Sequence, residues 1–178
     1  SRHGVKMAIA ACGTSSSLAL STVVKEFPFP ILGMIAPGAR AAVKATKTLK
    51  IGVIATEGTI TSGAFEKAIK RMEPRIRTTS QACPMFVPLV EGDFVNSDET
   101  KKIAQTYLEP LEKNGIDTLI LGCTHYPHLS AVIQKILGRS VVLVDPAIAV
   151  VEEAKALLKE RKLLGPDGHN GHAQFFVS

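Results

Sequence analysis

Two segments of this chain share one chemical form: Met7-Ala-Ile-Ala-Ala-Cys12-Gly-Thr-Ser and Thr118-Leu-Ile-Leu-Gly-Cys123-Thr-His-Tyr. In each, an apolar run brings a cysteine to the carboxyl end of an expected strand, immediately before an expected helix. Ligands of open α/β sheets sit outside the carboxyl ends of the strands, so both thiols fall where a substrate would bind. A helix start also lowers a nearby thiol's pKa and favours the thiolate. A single free cysteine is most often a small buried hydrophobe. That reading weakens when the element occurs twice, because packing gives no reason for repeated polar residues after the sulfur. Two matched thiols suit inversion at a carbon centre, where one base removes a proton and a second group returns one to the opposite face.

Further candidates surround these two. His125 could tune Cys123 or help return a proton, and it could equally be a helix-start histidine bonded to backbone. Cys123, His125 and His128 could be zinc ligands, but Pro127 disfavours the bend that this needs and no Cys-x-x-Cys pair occurs. Thr56-Glu57-Gly58-Thr59 opens toward a helix and could hold a carboxylate on its hydroxyls and amides; an ordinary βα turn explains it as well. Gly58 and Gly63 have the spacing of a phosphate loop, yet Ala64-Phe65 stand where Lys and Ser/Thr are required, which disfavours nucleotide hydrolysis. Glu91 ends the apolar stretch Val87-Pro-Leu-Val and is either a solvated loop carboxylate or a site group.

The elements that must position these residues repeat one grammar, a Val/Ile-rich run, a turn of small or hydroxyl residues, then a helix-period stretch. That is the form of βα units and predicts an α/β fold. The expected pairs are Val5–Cys12 with Thr14–Lys25, Ile51–Thr56 with Ser62–Met72, Asp117–Cys123 with Pro127–Leu137, and Val141–Asp145 with Ile148–Lys162; one more helix spans about Ser97 to Asn114. Ala64, Phe65, Ala68, Ile69 and Met72 make one apolar face, as do Val150, Val151, Ala154, Leu157 and Leu158. Ser62 and Ser97 are expected N-caps, and Asn114-Gly115 and Gly165 are expected stops, with Pro74 just past the second helix. Pro110 should kink its helix or end it early. Ala36-Pro37-Gly38 and Asp145-Pro146-Ala147 break regular pairing and are candidate crossings that bracket a middle domain. After the polar, glycine-rich stretch 165–172, Phe175-Phe176-Val177 should begin a strand.

Composition bounds the rest. The chain has 178 residues, 46% hydrophobic and 21% charged, enough for a sizeable core in one or two domains and unlike a disordered chain. No apolar run reaches the length of a membrane span. A formal net charge of +5 points to nucleic acid only weakly, since the basic residues are dispersed and no Trp is present for a stacking platform. Three cysteines cannot all pair, which suits a reducing compartment, with cytoplasm as the expected location. The start, Ser-Arg-His-Gly-Val-Lys, lacks the pattern of a signal peptide.

Leu121-Gly-Cys-Thr-His-Tyr-Pro127, Ala11-Cys-Gly-Thr14, Ile51-Gly-Val-Ile-Ala-Thr56 and Cys83-Pro-Met-Phe-Val-Pro-Leu-Val-Glu91 closely resemble the cofactor-independent glutamate racemases of the aspartate/glutamate racemase superfamily. The resemblance extends over nearly the whole chain. It implies two pseudo-symmetric three-layer α/β lobes with mainly parallel sheets and a cleft between them. Residues 1–35 and 145–178 would form a partial first lobe, and 36–144 the second. Cys12 would be the base toward D-glutamate and Cys123 the base toward L-glutamate, with His125 and Glu91 assisting the second half-site. Gly13, Thr14, Thr56, Thr59, Thr124 and His125 would line the substrate, with no cofactor and no metal. The resemblance further implies D-glutamate supply for peptidoglycan and a homodimer.

Departures from the family pattern carry their own expectations. Gly13 stands where the family usually has Asn, so an amide that would hold substrate is missing. An Asp-Ser-Gly strand and a Pro-Tyr-Gly motif, which should precede Ser1, match nothing here, and the family continues past Ser178. The chain therefore reads as a fragment with little or no activity of its own. The rival readings are a racemase for aspartate or a non-catalytic amino-acid-binding or regulatory module of the same fold.

Overall fold

The computed structural model describes residues 4–165, 168 and 171–176. The chain opens with β1 (Ala8–Ala10), α1 (Gly13–Leu18), α2 (Leu20–Val23), β2 (Ile31–Gly33) and α3 (Ile35–Ala45). It continues through β3 (Lys50–Ala55), α4 (Glu57–Ser62), α5 (Ala64–Met72), β4 (Arg77–Ala82), α6 (Phe86–Glu91) and α7 (Asp98–Lys113). Then come β5 (Thr118–Leu121), a 3₁₀ turn at Tyr126–Leu129, α8 (Ser130–Leu137), β6 (Val142–Val144) and α9 (Pro146–Glu160). β1 and β2 form a small parallel sheet, while the other strands form a parallel sheet of order β4-β3-β5-β6. The expected α/β class with parallel strands is what the chain adopts. No described helix is long and apolar enough to cross a membrane.

The period-two alternation of side chains along β3 and β5 divides the core between the two faces of the larger sheet. Ile54, Leu119 and Leu121 pack with Phe86, Leu108, Leu111 and Ile133 from α6, α7 and α8. Ile51, Val53 and Ile120 face the other way, against Ala39 and Ala42 of α3 and Phe65 and Ile69 of α5. Helices on both faces explain why β3 and β5 read as nearly continuous apolar runs.

Chain order sets where this sheet can bind anything. From β3 the chain moves outward to β4, then returns across β3 to β5 and on to β6. The direction reverses between β3 and β5, so the crevice of the sheet opens beyond their carboxyl ends. Thr56 follows β3 and Gly122-Cys123 follow β5, with the Gly122 N–H donating to the Ile54 carbonyl at 2.7 Å.

Several local expectations hold. Ser97 caps α7, its hydroxyl accepting from the Thr100 N–H at 3.1 Å, and the helix stops at Asn114 with Gly115 at φ 64°. Others are corrected. Val5–Cys12 yields only the three-residue β1, and the helix expected over 14–25 is broken into α1 and α2. Ala36-Pro37-Gly38 is no break but part of the first turns of α3, where a missing proline N–H has no helical partner to lose. Asp145-Pro146-Ala147 begins α9, with the Asp145 carboxylate accepting from the Ala147 N–H at 2.9 Å and Pro146 at the first helical position.

Ser62 ends α4 rather than starting α5; Gly63, at φ 62°, stands between the two helices, and the Ser62 hydroxyl accepts from the Ala64 N–H. Pro110 does not end α7, which runs on to Lys113. The carbonyl that loses its intrahelical partner belongs to exposed Thr106, at the solvent face of the helix, and buried Leu108 and Leu111 hold the turn in place. Met72 and Val151 lie exposed rather than on the buried faces of their helices. α9 ends at Glu160, before Gly165, with Lys162 taking the left-handed conformation. Phe175 and Phe176 belong to no strand, and Val177 lies outside the described residues, as do Ser1–His3 and part of the 165–172 stretch.

Candidate active site

The first half-site is built by β1 and α1. Cys12 is the N-cap of α1, exposed, with extended backbone, so its sulfur sits beside the free amides of the first turn. Partial burial pushes its pKa up, but the amides and hydroxyls of Ser15 and Thr14 outweigh this and hold the thiol below its ordinary value. Ser16 fixes the turn from beneath: its hydroxyl donates to the Ala10 carbonyl at 2.8 Å and accepts from the Met34 N–H at 3.1 Å. Ser15 and Ser16 received no role from sequence. The signal was the unbroken hydroxyl run Thr14-Ser15-Ser16-Ser17 directly after the sulfur.

The second half-site follows β5. Burial raises the Cys123 pKa, and the charge on Cys12 raises it further, against opposing hydrogen bonds from His125 and Thr124. The His125 ring lies between Cys123 and Glu91, with Nδ1 3.7 Å from the Cys123 Sγ and Nε2 3.1 Å from the Glu91 Oε1. A carboxylate only accepts, so Nε2 carries the hydrogen and donates it to Glu91; in the neutral ring Nδ1 then offers its lone pair toward the thiol. Thr124 Oγ1 lies 3.5 Å from the same Nδ1.

What aligns that row is a residue to which sequence reasoning gave no role. Tyr126 is fully buried, and its hydroxyl donates to the Cys83 carbonyl at 2.8 Å. Its ring meets Phe86 edge to face at 5.2 Å. Because Cys83 precedes α6 and Glu91 ends it, this anchor sets the distance between Glu91 and His125. The Cys83 thiol itself is buried, which pushes its pKa far up and leaves it unsuited to proton transfer.

The two half-sites touch. Thr14, from the α1 turn, shares hydrogen bonds with Thr56 at 2.8 Å and Thr59 at 3.3 Å, and Thr56 and Thr59 are joined at 3.1 Å. Buried Gly13 lies against the Gly122 carbonyl and the Thr59 hydroxyl. Beside this contact is a cavity of about 160 Å³, lined by Ala11, Gly13, Met34, Cys123, Thr124 and Asp145 among others. The residues singled out from sequence thus fall into two groups, a hydroxyl cluster of Thr14, Thr56 and Thr59 and a row of Cys123, Thr124, His125 and Glu91, with Gly13 at their junction. Among the described residues, no three His, Cys, Asp or Glu side chains are grouped so as to hold a metal ion.

The chemistry available is that of two thiols of unequal acidity on adjoining turns, Cys12 shifted toward easier ionisation and Cys123 away from it. Environments that push two titratable groups apart assign a base and an acid.

Known proteins share this arrangement of sequence and fold. Residues 1–154 match the family described as Asp/Glu/Hydantoin racemase. The chain is 50% identical over 163 residues to a glutamate racemase of Picosynechococcus sp., covering 92% of this chain and 57% of that protein. The crystal structure of a glutamate racemase isoform from Bacillus anthracis superposes with a TM-score of 0.86 at 39% identity, over 90% of this chain and 60% of the other. A Francisella tularensis glutamate racemase, solved in complex with D-glutamate, gives 0.84 at 36% identity over 90% and 60%. The chain therefore spans less than two thirds of the length of each of these relatives. With the family match running unbroken through both cysteine turns, the chain belongs to the Asp/Glu/hydantoin racemase family.

Proposed function

We propose that this chain carries the two half-sites of a racemase that interconverts L- and D-glutamate by proton transfer between Cys12 and Cys123, with no cofactor or metal. One observation carries the reading: two cysteine turns from separate parallel sheets meet at one crevice, their thiol pKa values displaced in opposite directions. Cys12, as thiolate, removes the α-proton of D-glutamate. Cys123, as thiol, gives its proton to the opposite face, and the pair is left with its protonation reversed for L-glutamate. His125 Nδ1, oriented by Glu91, holds or returns the proton at Cys123.

The Thr14, Thr56 and Thr59 hydroxyls, which satisfy one another, and the Thr124 hydroxyl in the Cys123 row turn to substrate oxygens. Those contacts stabilise the carbanionic transition state once water is excluded. Gly13 contributes backbone alone.

The lobe division of 1–35 with 145–178 against 36–144 is part of the proposal, supported by β1 and β2 forming a sheet separate from β3–β6. So are a homodimer, a cytoplasmic location and the supply of D-glutamate for peptidoglycan. Solvent deuterium exchange at the α-carbon of L- and D-glutamate, followed by NMR without added cofactor, tests the chemistry. Exchange with inversion that disappears in Cys12→Ala and in Cys123→Ala is expected of the full-length protein. A folded full-length protein that exchanges neither enantiomer overturns the reading in favour of another acid, such as aspartate, or of a non-catalytic module.

A further inference from the structure

Each of the three threonine hydroxyls at the joint between the two turns has one proton to give. Thr14 Oγ1 lies 2.8 Å from Thr56 Oγ1 and 3.3 Å from Thr59 Oγ1, and the latter two are 3.1 Å apart. Three protons fill three contacts, so the closed trio has no donor left for a ligand. Thr56 shows how far its hydroxyl is committed: it stands at the N-cap of α4 in extended backbone, yet its side chain caps no amide of that helix. Thr59 is 1% exposed, so water does not share its bonds. Thr14 differs from both, because its hydroxyl also hydrogen-bonds the Cys12 sulfur and helps to hold that thiol below its ordinary pKa. A thiolate only accepts, so while Cys12 is ionised the Thr14 proton points to sulfur and the Thr14 oxygen accepts from Thr56 or Thr59. We propose that the Thr14 hydroxyl follows the negative charge through the reaction, donating to the Cys12 sulfur before proton transfer and to the substrate's carboxylate after it.

The inference rests on the two-thiol reading and adds an order of events to it. When Cys12 removes the α-proton of D-glutamate, the C–H bond breaks, the S–H bond forms, and the electron pair of the C–H bond spreads onto the adjoining carboxylate. The sulfur is then neutral and a weak acceptor, whereas the carboxylate oxygens have gained charge. Rotation about the Cβ–Oγ bond of Thr14 carries its hydrogen from one acceptor to the other with no bond broken. In the reverse direction Cys12 gives its proton to carbon, becomes the thiolate and takes the hydroxyl back. The Thr14 methyl faces Gly58 of α4, and the Ser17 hydroxyl donates to the Thr14 carbonyl at 3.0 Å, so the side chain is held and the hydroxyl hydrogen is the moving part. A donor that meets charge where it develops lowers the barrier without tightening the hold on the substrate.

The test compares Thr14→Val, which keeps the shape without the donor, with Thr14→Ser, which keeps the donor; Thr14→Ala is a second variant without the hydroxyl. In the folded chain, the pH midpoint for iodoacetamide labelling of Cys12 should rise by roughly half to one pH unit in the Val and Ala variants, the worth of one hydrogen bond, and return toward wild type in Ser. In the full-length protein, kcat for D- and L-glutamate should fall on the order of a hundredfold in Val and Ala with KM changed far less, and Ser should recover most of the loss. A displaced Cys12 titration alone accounts for no more than about tenfold, so the deficit should persist at each variant's own pH optimum. A deficit that vanishes at that optimum overturns the proposal and makes Thr14 a static partner of the thiolate. A rise in KM with kcat kept overturns it and makes Thr14 a substrate contact alone, and an unmoved labelling midpoint in both hydroxyl-free variants overturns it as well. If the wild-type full-length protein exchanges neither enantiomer, the glutamate reading fails and takes the proposal with it, whereas the three preceding outcomes leave that reading intact.

Discussion

The thiols of Cys12 and Cys123 differ in what surrounds the sulfur. Cys12 is exposed and ringed by Ser15 and Thr14 donors, whereas Cys123 is half-buried beside another potential negative charge. Iodoacetamide reacts with the thiolate, so labelling of Cys12 should rise with pH through a midpoint below that of an unperturbed thiol, and that of Cys123 through one above it. Cys83 should label only on unfolding. Peptide mass spectrometry across a pH series checks all three, and a Cys123 midpoint below that of Cys12 would contradict the assignment. Tyr126→Phe deletes the bond to the Cys83 carbonyl and should lower stability by about 1–2 kcal/mol in denaturant titration. In the full-length protein the same change should also reduce turnover, because α6 then holds Glu91 less firmly against His125. Both cysteines and His125 were visible in sequence as types at suggestive spacings, whereas a place for Glu91 beside them came only with the family resemblance. The Tyr126 anchor was not, because its partner is a backbone carbonyl, and a carbonyl leaves no mark in a residue string.

Strands buried on both faces announce themselves by composition, and β3 and β5 were legible for that reason. β4, Arg-Thr-Thr-Ser-Gln-Ala, is an edge strand with an exposed first residue and a half-buried remainder, so nothing apolar marked it. β2 is three residues long, and α3 carries a Pro and a Gly that read as punctuation although they sit in its first turns. α6 was hidden likewise by Pro88. The loop after α3 is tied to β5 by Asp117, whose carboxylate accepts from the Thr46 hydroxyl and the Lys47 and Thr48 amides, each at 2.6 Å. Burial opposes ionisation, but these donors outweigh it and lower the carboxyl pKa to about 2. A depressed folded-state pKa contributes stability above the unfolded value near 3.9 that is lost as pH falls toward 2. Asp117→Ala should cost about 2 kcal/mol at neutral pH and flatten the stability profile between pH 4 and pH 2 in acid titrations monitored by circular dichroism. Ser97→Ala should cost about 1 kcal/mol through loss of the α7 cap.

At the scale of the molecule, the α/β class and its parallel strands followed from the repeated βα grammar, while strand order did not. Order depends on which edge the chain returns to after β4, a choice that helix and strand periodicities do not encode. The two sheets should differ in persistence. Two short strands alone are marginal, and Ile9 of β1 is 38% exposed, so the β1–β2 amides should exchange with deuterium well before those of β3 and β5. Equal protection in native-state exchange would show that the small sheet opens only with the whole. The parallel ladder also imposes an order in time. Ile51 pairs with Thr118, so the strand that delivers Cys123 docks only after α4, α5, β4, α6 and α7 have been made and folded back. Loop closure of that length is slow, and β1 with β2 can pair long before it. During synthesis, Cys12 therefore emerges well before the thiol that will oppose it. Oxidative or alkylating damage to a nascent chain should fall first on Cys12.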